Sequence, residues 1–419
     1  MRFSNRAAIV AIVLVSFAVT LAELPRSDWP TLEAMSLASG VVALAMMAAS
    51  ALLGGRFKLI ETLFGGLDRV YLAHKWLAVW ALAFASFHFA FKAGMQTWDT
   101  ASIVTLPPFY TRLVRQLSLL ALGLILLLAL NRRIPYHRWR WWHKLSGPLF
   151  LIVVLHWLSF KSPIELASPA GAWLAVLSAL GIAAAAYKLL LYRFVSSHAE
   201  YRVAKAVRDG SGLHLQLEPL DKPISFKAGQ FGFVSLKEDG LREPHPFTIA
   251  SANDGHMHFV IRDLGDYTHR LLKMTKEGMH ADAYAPFGRF ERSASGRREI
   301  WIAGGVGISP FIAWLTDESA MRTPAATLFY FFTPGREFPT AERIRQLAVP
   351  SATQVVPVSG GPSDAAFMQR FEQIVNEAGT TSVEVSFCGP KGLLEQVRAT
   401  MTRLGVPDAN LRFEYFEFR

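Results

Sequence analysis

The sequence predicts a multidomain membrane protein: a six-helix transmembrane bundle, then an antiparallel β-barrel, then an α/β domain on a parallel sheet. Three observations carry that reading. The 419 residues are 52% hydrophobic and only 18% charged, and the apolar excess lies before residue 196, which leaves a remainder of ordinary globular composition. Two apolar stretches, AHKWLAVWALAFASFHFAFK and WWHKLSGPLFLIVVLHWLSF, carry matched histidine pairs. After residue 198 the pattern turns to strand-like alternation, and after about 297 to alternating strands and helices. The expected domains are therefore 1–197, 198–296 and 297–419.

Six apolar segments, near residues 7–24, 36–54, 70–91, 113–130, 142–160 and 172–192, fit the length of membrane helices. Arg2 and Arg6 precede the first, as in a signal peptide, but no small-residue cleavage site follows, so the segment reads as a retained helix. Lys and Arg orient the bundle. The connections at 55–69 (Arg56, Lys58, Arg69) and 131–141 (Arg132, Arg133, Arg138, Arg140), with Arg193 and Arg202 after the last span, outweigh Arg26, Lys92, Arg112 and Lys161 on the other side. The positive-inside rule then puts both termini in the cytoplasm. The net charge of +10 is concentrated at the ends of apolar segments, so the expected partner is the lipid bilayer and not nucleic acid. Cys388 is the only cysteine, which excludes a disulfide framework and a cysteine metal site.

His74 and His88 are 14 residues apart, which on a helix is roughly 21 Å along the axis and about 40° around it. His143 and His156, 13 residues apart, fall about 140° apart on a straight helix, and Gly147-Pro148 is where a kink could rephase them. One histidine in an apolar helix is usually a satisfied core residue. Two helices with matched pairs, each spanning most of a bilayer, read as ligands, because neutral imidazole binds haem iron and polar groups in a membrane are costly. The third and fifth spans run parallel, so His74 pairs with His143 on the cytoplasmic side and His88 with His156 on the outer side. Two bis-His haems are expected.

The stretch YRVAKAVRDGSGLHLQLEPL opens a run of alternating segments to about 290, with turns at Asp239-Gly240 and Asp254-Gly255, as in a small antiparallel barrel. Beyond it, EIWIAGGVGISPFIAWL reads as strand, Gly-rich turn and helix. TLFYFFT, a helical stretch at 340–348, TQVVPVS, a helix at 364–377, SVEVSFCGP and a helix at 391–404 continue a doubly wound parallel pattern. Glycines in IAGGVGISP let the backbone approach a phosphate at a helix N-terminus. The turn is not GxGxxG, but its partner SFCGP also closes a strand, where open α/β sheets bind ligands.

HPFTIAS, preceded by AGQFGFVSL, lies in the barrel. The order barrel strand, HPFT, GGVGISP, CGP resembles the ferredoxin-NADP reductase superfamily. With the histidine pairs added, essentially residues 1–419 resemble the NADPH oxidase and ferric reductase family of transmembrane flavocytochromes. The resemblance implies FAD, two b-type haems and NADPH, with NADH as the alternative nucleotide. It assigns His245, Pro246, Phe247 and Thr248 to the flavin motif, and Arg262 and Thr268 to the FAD pyrophosphate. Gly304, Gly305, Val306 and Gly307 take the nucleotide phosphates, Arg336 the adenosine 2′-phosphate, and Cys388, Gly389 and Pro390 the wall beside the nicotinamide. The ending FEYFEFR resembles the family's C-terminal aromatic signature, with Phe416 as the ring that shields the flavin. Phe416 and Cys388 are then the residues at the hydride-transfer site.

Lys75, Lys144 and Arg140 are candidates for the inner haem propionates, and Lys92 or Arg112 for the outer ones. Animal superoxide-producing members place an Arg and an extra His near the outer haem. Here the outer half of the second span has no Arg, and Lys92 stands where the extra His would fall. The resemblance implies a bacterial inner (plasma) membrane enzyme passing electrons from NADPH through FAD and both haems to an acceptor outside. Oxygen, giving superoxide, is the expected acceptor. A ferric chelate is the alternative, or a periplasmic or membrane protein partner for which the chain is the electron-entry subunit.

Overall fold

The first unit opens with α1 (Asn5–Ala22). Thr31 then starts α2 (Leu32–Gly54), its Oγ1 accepting from the Ala34 N–H at 3.2 Å, as an N-cap should. Short α3 (Lys58–Phe64) stops at Gly65 and Gly66, whose φ of 81° and 148° turn the chain into α4 (Leu67–Ala90). Helix α5 (Pro108–Leu130) begins on a proline, whose missing N–H has no use in a first turn. Helices α6 (Tyr136–His143) and α7 (Ser146–Ser159) follow, then α8 (Pro169–Ala186), capped by Ser168. A π-helical stretch, Tyr187–Leu191, leads into α9 (Tyr192–Val195).

The break expected at Gly147-Pro148 falls instead at Lys144 and Leu145, between α6 and α7. Pro148 is the third residue of α7, within the first turn, where backbone N–H groups have no intrahelical partner. The proline therefore marks a helix start and not a bend.

This computed structural model describes residues 5–131, 134, 136–210, 212–293, 295–317 and 326–414. They form two compact units, one ending at Val195 and the other beginning at Ser196. In the first, α2 packs along both α4 and α8 and is its most buried helix. Leu14, Trp76, Trp80, Phe89, Trp141 and Leu180 are exposed on helix exteriors, an apolar outside suited to lipid. Among the described residues, Leu32–Gly54, Leu67–Ala90 and Pro169–Val195 are long and apolar enough to cross a membrane. Helices α1, α5 and α7 occupy the other three positions at which the sequence predicts spans.

The second unit starts with β1 (His198–Asp209), β2 (Gly212–Pro219), β3 (Phe231–Leu236), β4 (His245–Thr248) and β5 (Met257–Arg262). Helix α10 (Asp266–Met274) and β6 (His280–Phe287) complete an antiparallel sheet of order β4-β3-β6-β1-β2-β5. A bridge from Ile249 to Phe259 joins its two edges into a barrel. Inside are Tyr201, Leu213, Leu215, Leu217, Phe259 and Ile261, the inward alternate residues of their strands.

The parallel sheet comprises β7 (Arg298–Gly304), β8 (Thr327–Phe331), β9 (Gln354–Val358), β10 (Val383–Cys388) and β11 (Leu411–Phe413), in the order β11-β10-β7-β8-β9. Its helices are α11 (Ser309–Thr316), α12 (Ala341–Ala348), α13 (Ala365–Ala378) and α14 (Lys391–Arg403). Strands β8 and β10 are buried throughout, as expected where helices cover both faces. The chain runs from β7 outward to β9 and then crosses back to β10 on the other side of β7. The carboxyl ends of β7 and β10 therefore flank the switch point, where open sheets bind ligands. Barrel and sheet meet at Trp314, whose Nε1 donates to the Ala228 carbonyl at 3.1 Å and whose ring stacks on Phe290 at 5.0 Å.

Candidate functional site

His74 lies in the second turn of α4 and His143 at the end of α6, and their ring centres are 6.0 Å apart with planes at 84°. An imidazole nitrogen binds a first-row metal at about 2.0–2.1 Å, and roughly another 1.1 Å reaches the ring centre, so trans imidazoles on one iron stand about 6 Å apart. The separation fits a shared metal. Trp139, one turn before His143, stacks on its ring at 4.7 Å. On the other pair, His88 is near enough to interact electrostatically with His156, and Phe160 packs on the His156 ring at 4.3 Å.

Helix α2 sets the two α4 histidines. Nδ1 of His74 lies 2.8 Å from the Ser50 carbonyl oxygen, and Nδ1 of His88 lies 2.9 Å from that of Ser36. A carbonyl only accepts, so Nδ1 carries the proton in each ring and Nε2 keeps the lone pair a metal needs. Gly54 and Gly40 follow Ser50 and Ser36 by one turn and face the same rings: a Cβ at Gly40 would stand 2.8 Å from His88 Nδ1, and one at Gly54 would stand 3.7 Å from His74 Cε1. Nδ1 of His156 has no hydrogen-bond partner among the described residues.

Sequence reasoning missed these four α2 residues. The signal was there: SLASG and SALLG repeat Ser-x-x-x-Gly at a spacing of 14, the spacing of His74 and His88. It also missed Arg115 on α5, which acts electrostatically on His156. Lys75 is exposed on α4, and Lys144 is exposed in the turn between α6 and α7.

In the second unit, β4 pairs with β3 alone, and His245, Pro246, Phe247 and Thr248 are each half-buried, a strand open on one side. The His245 ring stacks on Tyr267 at 3.6 Å, with Nε2 3.3 Å from Glu243. Phe247 meets Phe259 edge-on at 6.2 Å. Arg262 ends β5 with its Nε buried and without a hydrogen-bond partner among the described residues, a donor suited to a group such as a pyrophosphate. Its Nη1 would stand 3.3 Å from a Cβ on Gly305, so the barrel's basic residue faces the Gly-rich turn. Thr268, in the first turn of α10, accepts from the Leu264 N–H at 2.9 Å and donates to the Gly265 carbonyl at 3.0 Å.

The glycines of the turn divide the work. A Cβ on Gly307 would stand 2.2 Å from the Cys388 carbonyl oxygen, and one on Gly304 2.7 Å from Pro390 Cδ. These two, with Gly389, let the turns after β7 and β10 pack backbone to backbone. Gly305, at φ 55° and otherwise open, is the one that leaves backbone free for a phosphate ahead of α11. Val306 between them is half-buried. The Cys388 side chain is fully buried in the core, and burial, then Glu414, push its thiol well above the ordinary thiol range. Arg336 is exposed on a turn closed by its N–H to the Thr333 carbonyl, at the carboxyl end of β8. Phe416 lies outside the described residues. Among the described residues no three His, Cys, Asp or Glu side chains gather to hold a bare metal ion.

Residues 39–159 match the family described as ferric reductase like transmembrane component, and residues 200–321 match a FAD-binding domain family. A flavohemoprotein of Pseudomonas putida is 27% identical over 235 residues, 52% of this chain and 58% of its own length. NADPH oxidase 1 of Mus musculus is 27% identical over 159 residues, 35% of this chain and 27% of its own. The chain thus spans less than two thirds of the length of these relatives. The crystal structure of flavohemoglobin from Malassezia yamatoensis, with bound FAD and heme, is similar over 96% of this chain and 99% of its own, at a TM-score of 0.51 and 16% identity, a likeness of fold alone.

Proposed function

We propose that this chain, a flavin-dependent oxidoreductase of the NADPH oxidase and ferric reductase type, carries electrons from cytosolic NADPH across a membrane to an acceptor outside. The observation behind this reading is the His74–His143 pair at 6.0 Å with His88 seated on α2 in the same manner four turns away. When bound, FAD takes a hydride from NADPH and gives up single electrons, which two b-type haems relay.

The chain's own residues bind and orient these groups. His74 and His143 hold the inner haem, and His88 and His156 the outer. Phe247 and Thr248 on open strand β4 face the flavin, while Arg262 and Thr268 bind its pyrophosphate, the charge coming from Arg262. Gly305, with Gly304, Val306 and Gly307, receives the phosphates of NADPH, and Arg336 prefers it over NADH through the 2′-phosphate. Cys388, through its backbone, joins Gly389 and Pro390 as the nicotinamide wall, and Phe416 covers the flavin until nicotinamide enters. In this reading all six apolar segments span a bacterial inner membrane, both termini are cytoplasmic, and the domains divide at 198 and 297.

Oxygen, giving superoxide, is the acceptor favoured. Arg115 supplies from α5 the outer cation that the second span lacks, and positive charge beside the outer site stabilises a nascent anion. The test is NADPH-driven turnover of detergent-solubilised, FAD-supplemented protein in air, following cytochrome c reduction with and without superoxide dismutase. Dismutase-sensitive reduction supports the oxidase reading. NADPH loss that requires a ferric chelate and proceeds without oxygen replaces it with ferric reduction. Haem reduction with turnover on neither acceptor assigns the chain to a protein partner.

A further inference from the structure

The bundle holds a buried lysine that the roles above leave unused. Lys188 is the second residue of the π-helical stretch Tyr187–Leu191, a helix form that recurs at functional sites. Its Nζ is shut from solvent and has no hydrogen-bond partner among the described residues; it lies 3.2 Å from the centre of the Tyr192 ring. A ring face attracts the charge but leaves three ammonium donors unmatched. The charged groups acting on Lys188 are Arg56 and Arg140, both positive. The Arg56 guanidinium carbon stands 5.8 Å from the same Tyr192 ring, and its Nε donates to Tyr71 Oη at 2.5 Å. An ammonium shut from solvent with its three donors unmatched is explained by an acceptor anion that reaches it.

The position of the cluster says which anion. Tyr71 precedes His74 on α4 by one turn, and Arg140 precedes His143 on α6 by one turn. Arg56 follows by two residues Gly54, the glycine that faces the His74 ring. Leu189, next to Lys188, would meet a Cβ on Gly147 at 2.9 Å, four residues past His143. All three cations thus lie by the His74–His143 pair, at the end away from His88. Lys75 and Lys144, the lysines nearest these histidines in sequence, are exposed instead.

We propose that Lys188, with Arg56 and Arg140, forms a buried oxyanion site that receives a propionate carboxylate of the inner haem. This rests on the haem reading above. A lipid phosphate offers the same chemistry, and the test separates the two.

Full-length wild type, Lys188→Met, Lys188→Gln and Lys188→Arg are purified with haem carrying 13C-labelled propionates. Each is compared by redox-difference infrared spectroscopy, by spectroelectrochemical titration of both haems, and by phosphorus assay of retained lipid. Lys188→Gln keeps length and polarity if Lys188→Met fails to fold. The expected result is a shifted labelled-carboxylate band and a lowered midpoint potential of one haem only, since removing a nearby positive charge disfavours the added electron. Lys188→Arg restores both. Loss of retained phospholipid with band and potentials unchanged keeps the oxyanion site and transfers it to a lipid headgroup. Neutral variants that match wild type in all three readouts overturn the site. Wild type without a Soret band fails the haem reading itself, an outcome distinct from either.

Discussion

The Ser36 carbonyl oxygen lies 2.9 Å from Nδ1 of His88, and Gly40, one turn further along α2, leaves the room the imidazole occupies. The residue that fixes which nitrogen is protonated and the residue that lets the ring approach belong to one short motif, Ser-x-x-x-Gly. At His74 the same motif acts through Ser50 and Gly54, with a looser fit.

That difference in fit gives a paired prediction. A methyl at position 40 would stand 2.8 Å from His88 Nδ1, closer than non-bonded atoms accept, whereas one at position 54 would make an ordinary 3.7 Å contact. Gly40→Ala is expected to displace the ring, break its bond to Ser36 and lower haem content to about half, while Gly54→Ala keeps both haems. Pyridine haemochrome quantification of the two variants checks this. Equal haem in both would remove Gly40 from the site.

Arg262→Gln should weaken FAD binding. Hydrogen bonds to charged groups contribute about 1.5–3 kcal/mol, so the FAD Kd is expected to rise on the order of 10- to 100-fold. Flavin fluorescence titration of the unloaded protein measures it. An unchanged Kd would leave the buried Nε of Arg262 without a purpose in flavin binding.

Gly307→Ala and Gly305→Ala should separate packing from phosphate binding. The first forces a Cβ to within 2.2 Å of the Cys388 carbonyl oxygen, and overpacking of that kind costs about 1–3 kcal/mol. The second holds alanine at φ 55°, a cost of about 1–2 kcal/mol, with its Cβ 3.3 Å from Arg262 Nη1 and otherwise facing the space where the nucleotide phosphate is expected. Gly307→Ala should lower thermal stability more. Gly305→Ala should raise the KM for NADPH by a larger factor than the FAD Kd, since its methyl also touches Arg262 Nη1, a comparison read from steady-state kinetics and a flavin titration.

Cys388 should be inert in the folded protein. Burial holds its thiol protonated, so Ellman's reagent is expected to react only after denaturation. The linkage has a definite sign. The folded pKa is raised, so the contribution to stability is complete below the unfolded thiol pKa and is lost as pH rises above it. Melting temperature should therefore fall at alkaline pH more steeply in wild type than in Cys388→Ala. Parallel pH profiles would contradict the burial argument.

Much of this was legible because its signals are physically costly. A histidine in an apolar span stands out against its background, so His74 and His143, which the fold brings together, stood out with His88 and His156, and HPFT and GGVGISP interrupt regular patterns in the same way. Ser36, Gly40, Ser50 and Gly54 did not stand out, because small residues are common wherever membrane helices pack, and their carbonyl contacts leave no mark on residue type. Arg115 escaped because distance along a span says nothing about which neighbouring helix faces an outer ligand. Pro148 announced an interruption but not its place, since a proline fits a first turn as well as a kink. Lys188 carried no signal in the sequence, because residue type does not reveal that a π-helical stretch sets it near Arg56 and Arg140.

The repeat of 14 residues in both α2 and α4 makes the pair a ruler. Four turns on one helix are gauged against four on the other, so the span between the His74 and His88 imidazoles is fixed by helix pitch and not by side-chain choice. One residue inserted in α2 between Gly40 and Ser50 would rotate everything beyond it by about 100° and unseat one imidazole while the other stayed in place. Insertions and deletions are then tolerable only as compensated pairs, one in each helix. In the proposed reading, the distance an electron must cover is set by the main chain, and side-chain substitution is left free to tune potential and acceptor.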